Sequence, residues 1–299
     1  MKCIGTLICA FIFSIAAGAQ EPATAAQILR EKVQEELGKQ KGLFAVAFKD
    51  LTSGETLFWN EHDLFHAAST MKTPVMIEVY KQVAAGKFLL TDSVTVRNEF
   101  ISIVDSSTYQ LNPGDDSDRE LYKLEGKKLP LSDLVYRMII RSSNLATNII
   151  MGMVDGKRVT QSMRELGAKD MLVLRGVEDA KAYQRGLNNV VTAYDLMTVY
   201  EKMARNEIID ASACRAMINI LLDQEFGTII PALLPKDVKV AHKTGSITGV
   251  HHDSGIVFLP DGKKYVLVIL SRNLEDAELA TPAMAKVSEM IYRHVIGKP

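Results

Sequence analysis

The feature that most constrains this chain is a split. Strand-like segments lie near both ends, and the long middle is patterned for helices. Leu43 to Phe48 is a short apolar run. It is followed by a turn at Thr52-Ser53-Gly54 and a second strand-like segment at Glu55 to Trp59, which together read as a hairpin. Strand patterns return only at Lys239 to Lys243, at Gly255 to Leu259, and, past a turn at Pro260-Asp261-Gly262, at Tyr265 to Leu270. Helical spacing opens the series over residues 24–41, through Ile28, Val33 and Leu37, and closes it over about 281–295. The order implies an α+β fold in which the two terminal pieces share one antiparallel sheet, flanked by N- and C-terminal helices, with an all-α domain inserted between them. The expected α/β part covers about residues 20–67 and 236–299, and the helical part about 68–235.

Within the inserted block a helix is expected from Ser69 to about Ala85. Pro74 falls in its first turn, where the lost N–H has no partner, and Gly86 is a natural stop. Pro130 precedes a helix over Leu131 to Ile140, with Ser132 or Asp133 available as a cap. Another helix runs from Asn144 to about Val154. A further one spans Thr192 to Met203, with Thr192 as N-cap and Asp195 at the third helical position. Residues 96–129 form a long polar loop that includes Asp115-Asp116-Ser117-Asp118. A calcium site is conceivable there, but a solvated acidic loop is the expectation.

At 299 residues the chain is ample for a full core, and 47% hydrophobic with 24% charged residues is ordinary for a globular protein. A formal net charge of -1 offers no electrostatic case for nucleic acid or an acidic membrane. Lys2, the apolar run Cys3 to Ala17 and the small residues Ala17-Gly18-Ala19 read as a secretory signal peptide cut near Ala19. The run is shorter than the roughly 20 residues of a spanning helix. The expected mature protein is therefore secreted or periplasmic. It keeps only Cys214, which excludes an intramolecular disulfide, and Cys214 is expected to be buried packing.

Three short motifs carry the chemistry. Ser69-Thr70-Met71-Lys72 puts a hydroxyl and an amine three residues apart, on one face if the segment is helical. A serine is a weak nucleophile until a base takes its proton, and a lysine of lowered pKa can do that. Ser142-Ser143-Asn144 and Lys243-Thr244-Gly245 follow in order.

Taken together, these motifs resemble the penicillin-recognising serine enzymes, and within them the class A β-lactamases. Asn148, four residues after Asn144, and the strand carrying Lys243 extend the likeness over nearly all of the mature chain. The resemblance implies that Ser69 attacks a carbonyl carbon while Lys72 holds or accepts its proton. The backbone N–H groups of Ser69 and Ser246 would form the oxyanion hole. Ser142 would relay a proton to the leaving nitrogen, and Asn144 would orient the substrate amide and Lys72. Lys243, Thr244 and Ser246 would meet the substrate carboxylate. Gly245 would let the substrate lie close to the strand. The substrate would be a small β-lactam or a peptide ending like D-Ala-D-Ala. No cofactor, metal or nucleic acid is implied, and a monomer is expected.

The chain also departs from the pattern. The family carries a Glu-x-x-Leu-Asn segment whose Glu activates the deacylating water. Leu187-Asn188 is the natural match, which puts Gln184 at the Glu position, and an amide is no general base. Asn188 then counts among the expected substrate-side residues. Glu178, in Gly176-Val177-Glu178-Asp179, could reach the same water through a differently threaded loop. Alternatively, Glu178 and Asp179 are structural loop charges. Ser143 stands where the family has Asp. Pro231 and His251 stand where its arginines might fall. His242, His251 or His252 could take over the carboxylate, or the pocket could prefer a different substrate, but the expectation for each histidine is a strand-surface residue. The rival functions are a penicillin-binding D,D-peptidase and a β-lactam sensor that stays acylated.

Overall fold

A computed structural model describes residues 24–298. The expected signal peptide lies outside the described residues. Strands β1 (Leu43–Asp50), β2 (Thr56–Trp59), β3 (Lys239–Ile247), β4 (Val250–Phe258) and β5 (Lys264–Arg272) form one antiparallel sheet in the order β2-β1-β5-β4-β3. The N-terminal strand β1 pairs with the C-terminal β5 from Leu43 opposite Arg272 to Asp50 opposite Tyr265. The split sheet expected from the sequence is therefore present. The β1–β2 turn is closed by Asp50, whose Oδ1 accepts from Thr52 N at 2.7 Å and Ser53 N at 3.3 Å.

The apolar run of β5 has no polar alternation because the sheet is covered on both sides. Tyr265, Leu267 and Ile269 point to one cluster, with Phe44, Val46 and Phe48 of β1. That face is covered by helices α1 (Ala25–Gly38) and α8 (Ala277–Val295). Val266, Val268 and Leu270 point the other way, into a larger cluster with the helical block. Its main members are α2 (Lys72–Ala84), α3 (Leu131–Ile140), α4 (Asn144–Val154), α5 (Gly156–Glu165), α6 (Ala193–Ala204) and α7 (Ala211–Leu222).

Local signals explain most boundaries. Thr192 caps α6 by accepting from Asp195 N at 3.0 Å, an interaction whose loss costs about 1 kcal/mol. Gly86, at φ +70°, follows the end of α2. Helix α3 differs from expectation: it starts directly after Pro130, and neither Ser132 nor Asp133 caps it. Asp133 instead pairs with Arg137 one turn on, at 3.3 Å. The expected long loop is broken into short pieces, with Ser93–Thr95 paired to Lys128–Pro130 and Phe100–Ile101 to Thr108–Tyr109. Asp116 and Asp118 are buried, which corrects the expectation of a solvated acidic stretch. Asp118 is neutralised by Arg137 at 3.0 Å. Cys214 is buried as expected, with its Sγ 3.0 Å from Ile208 O.

Candidate active site

Ser69 lies in a single 3₁₀ turn, Ala68–Met71, that leads directly into α2. Ala68 has φ +44°, an uncommon conformation for a residue with a side chain. His66 supports the bend by accepting from Ala68 N at Nδ1, 3.1 Å away. Strand β3 runs against this turn. A Cβ on Gly245 would sit 3.0 Å from Ser69 N and 3.1 Å from Thr70 N. The glycine is thus required by the approach of strand to turn. The resemblance alone implies a glycine that makes room for the substrate.

Two lysines with no solvent exposure flank Ser142. Lys72 Nζ donates to Ser142 O at 2.6 Å, to Asn144 Oδ1 at 2.8 Å and to Ser142 Oγ at 3.3 Å. Lys243 Nζ donates to Ser142 Oγ at 3.0 Å and to Thr244 O at 2.9 Å. The expected direct bond from Lys72 to the Ser69 hydroxyl is not among the hydrogen bonds of the described residues. The amine is instead turned toward Ser142 and Asn144. Burial lowers Lys72 to about 7, opposed by the negative charges of Asp116 and Glu178. Lys243 is pushed well below its ordinary value by burial, with Lys72 acting in the same direction. Ser142 itself is held at φ +56°, which turns its carbonyl and hydroxyl together toward Lys72.

Asn144 links the lysine to a carboxylate. While its Oδ1 accepts from Lys72, its Nδ2 donates to Glu178 Oε1 at 2.8 Å. Glu178 faces the cleft from a loop with φ +59°, and burial lifts its carboxyl above the ordinary range against the opposing hydrogen bond from Asn144. Asn148 clamps the residue before it, accepting from Val177 N at 2.6 Å and donating to Val177 O at 3.0 Å. Asp179 turns away to cap the next turn, accepting from Ala182 N and from Ser102 Oγ. Gln184 is exposed at the end of that turn. Asn188 also lies off the cleft lining, and its Oδ1 accepts from Arg175 Nη2 at 3.2 Å. Its neighbour Asn189 reaches the cleft wall instead.

Two lobes meet at Ser69, Asp115, Asn144 and Ser246. One, of about 300 Å³, adds Ser142, Thr228, Thr244 and His251. The other, of about 530 Å³, adds His66, Arg175, Glu178 and Tyr183. Of the three candidate histidines only His251 reaches the cleft. His242 is buried against Asp253 at 2.8 Å, and His252 is buried with Nε2 donating to His66 O. Neither is the strand-surface residue expected of it. His251 Nδ1 meets Thr281 Oγ1 at 2.8 Å. That hydroxyl donates to Ala277 O, so it must accept from His251, which fixes the ring proton on Nδ1. Among the described residues no cluster of three His, Cys, Asp or Glu could hold a metal ion.

A hydroxyl at a helix start thus shares a cleft with a carboxylate and with a second hydroxyl that is held by two buried amines. The sequence profile described as the beta-lactamase enzyme family matches residues 27–295. The chain belongs to that family. It is a serine hydrolase of the β-lactamase type. It is 23% identical to the extended-spectrum beta-lactamase PER-1 of Pseudomonas aeruginosa, over 98% of this chain and 94% of that protein. Among solved structures, a beta-lactamase from Sphaerobacter thermophilus is 26% identical with a TM-score of 0.79, covering 91% of this chain and 98% of that one. The structure of PBP-A is 25% identical with a TM-score of 0.78, covering 90% and 96%. The expected family and α+β fold are therefore established for this member.

Proposed function

We propose that this enzyme opens β-lactams through an acyl-enzyme on Ser69 and releases the product with water activated by Glu178. The observation that carries this reading is the Asn144 amide, which joins Lys72 to Glu178 beside Ser69. In the first step Ser69 Oγ attacks the lactam carbonyl carbon. Its proton passes to neutral Lys72, and the negative charge on the carbonyl oxygen is met by the N–H groups of Ser69 and Ser246. The C–N bond then breaks, and the ring nitrogen takes a proton from Ser142, which is replenished from the lysines on either side. In the second step Glu178 takes a proton from water. The resulting hydroxide attacks the ester carbon, and Ser69 leaves with a proton returned to its oxygen. Thr244 and Ser246 hold the substrate carboxylate in the smaller lobe, which Lys243 backs with positive charge. The protein acts as an exported monomer, without a cofactor.

Intact-protein mass spectrometry with benzylpenicillin tests the cycle. The wild type should return rapidly to its free mass, Ser69→Ala should gain no adduct, and Glu178→Gln should hold the adduct. Equal turnover by Glu178→Gln would remove Glu178 from the mechanism. The similarity to PBP-A, including a mutant of it described as an acyl-enzyme complex with penicillin G at 25% identity, favours one second reading. In that reading the enzyme is a D,D-peptidase. A persistent adduct on the wild type, with release of D-alanine from a peptide ending in D-Ala-D-Ala, would support it. A persistent adduct without peptide cleavage would indicate a sensor.

A further inference from the structure

The segment between α2 and α3 sends one carboxylate, Asp116, into the floor of the site. Asp116 is only 3% exposed. Its Oδ2 accepts from the backbone N–H groups of Asn144 and Leu145, both at 2.9 Å, and from the Tyr122 hydroxyl at 3.0 Å. Its Oδ1 accepts from Asp118 N at 3.0 Å. Asn144 and Leu145 open α4, so their N–H groups have no partner within the helix, and a helix start also favours negative charge.

The two buried carboxylates of this loop are treated differently. Asp118 is paired with Arg137 at 3.0 Å and Arg141 at 3.6 Å. Among the described residues no Lys, Arg or His lies within ion-pair distance of Asp116. Its positive surroundings are the start of α4 and, farther off, Lys72, on which it is the leading charge opposing the effect of burial. The acidic groups near it are Asp115, Asp118 and Glu178, and the acidic proton of Tyr122 points at it.

Ser143 explains why such a group is needed. It is the N-cap of α4, and its hydroxyl accepts only from the third helical residue, Ala146, at 3.2 Å. It carries no charge, and it leaves the first two N–H groups to another acceptor.

We propose that Asp116 is a positioning residue: from a separate loop it supplies the anionic cap that Ser143 lacks, and by holding the first turn of α4 it sets Asn144 against Lys72. The proposal rests on the acylation chemistry argued above for its kinetic readout, but not for its spectroscopic one.

The test is Asp116→Asn, which keeps the size and one acceptor but removes the charge, and the double variant with Ser143→Asp, which restores a carboxylate at the helix's own cap. For Asp116→Asn, kcat/KM for benzylpenicillin should fall roughly tenfold to a hundredfold. The acid limb of its pH profile should move to lower pH, because Lys72 sheds its proton more readily without the anion. Titration of Lys72 Nζ by NMR in lysine-labelled protein should shift the same way with no substrate present. The double variant should recover most of the rate and return the limb toward the wild-type position. A rate loss with both the limb and the Nζ titration unmoved would reduce Asp116 to a structural cap and overturn the proposal. If Asp116→Asn fails to fold, a double variant that also fails to fold or to regain rate overturns it. If the wild type itself is not acylated by penicillin, the functional reading fails, and the Nζ titration still decides the role of Asp116.

Discussion

Lys72 sits at the centre of the site, and in the proposed mechanism its proton decides when Ser69 can react. Burial removes water from the ammonium, and the anions nearby repay only part of that loss, which leaves the amine near 7. A base must be neutral to accept a proton. Single-turnover acylation by benzylpenicillin should therefore rise with pH through about 7 and level off above it. The proposed deacylation depends on the opposite kind of group. Glu178 must be ionised, and its carboxyl is lifted above the ordinary range, so the deacylation rate should fall on acidification at a pH above that of a free carboxylate. Stopped-flow acylation and ester-release rates measured across pH check both limbs. A flat acylation profile from pH 5 to pH 9 (chosen to bracket that value by about two units) would remove Lys72 as the base. At this scale the motifs are legible from spacing alone, because three residues on one helix or strand need no tertiary knowledge. The contacts of Lys72 are not. A long flexible amine can turn to any nearby acceptor, and its choice of Ser142 and Asn144 depends on residues about seventy positions away.

At the scale of elements, the site is a seam where β3 lies against the Ser69 turn, and Gly245 sets the width of that seam. An alanine Cβ there would meet Ser69 N at 3.0 Å, Thr70 N at 3.1 Å and Ala68 Cβ at 3.2 Å, two of the three being backbone atoms that cannot rotate away. Strand or turn must move by a few tenths of an ångström, and one of the displaced groups is Ser69 N, a proposed oxyanion-hole donor. Gly245→Ala is therefore expected to lower kcat/KM by roughly tenfold to a hundredfold and stability by about 1–3 kcal/mol, read from penicillin hydrolysis and a urea melt. A loss of stability with full activity would show that the seam does not set the geometry of the hole. The loop bearing Glu178 is governed in the same manner by Asn148, whose amide holds both backbone groups of Val177. With Glu178 in its proposed role, that clamp accounts for the carboxylate's place ahead of Leu187-Asn188. Aligning Leu187-Asn188 assumes that the loop is threaded as in the relatives. In this chain the clamp on Val177 brings the carboxylate in before the short turn at 180–184, and Gln184 is left exposed after it.

For the molecule as a whole, the decisive fact is that one sheet is built from both ends of the chain and carries a core on each face. The unbroken apolar run of β5 makes that arrangement legible in the sequence, because a strand covered on both faces needs no polar alternation. The buried carboxylates of the 97–129 segment are not legible, since burial of Asp116 and Asp118 depends on α3 and α4 closing over them. Helix α6 ties the helical block to the sheet that both cores share. Its Tyr200 is fully buried with its hydroxyl 3.0 Å from Thr73 Oγ1 on α2 and 3.4 Å from Ser254 Oγ on β4. The two cores should therefore unfold as one unit despite the apparent two-part layout. Trp59, the chain's one tryptophan, packs beside the outer core, far along the sheet from β3, and its fluorescence reports on that side. Penicillin turnover reports on the other. Phe48 is fully buried in the outer core, edge-on to Tyr265 at 5.6 Å. Phe48→Ala should cost about 3–5 kcal/mol. The urea midpoints of Trp59 fluorescence and of turnover should fall together by the same amount. If turnover keeps its midpoint while fluorescence shifts, the outer core gives way before the inner core and β3, and the two cores are separate cooperative units.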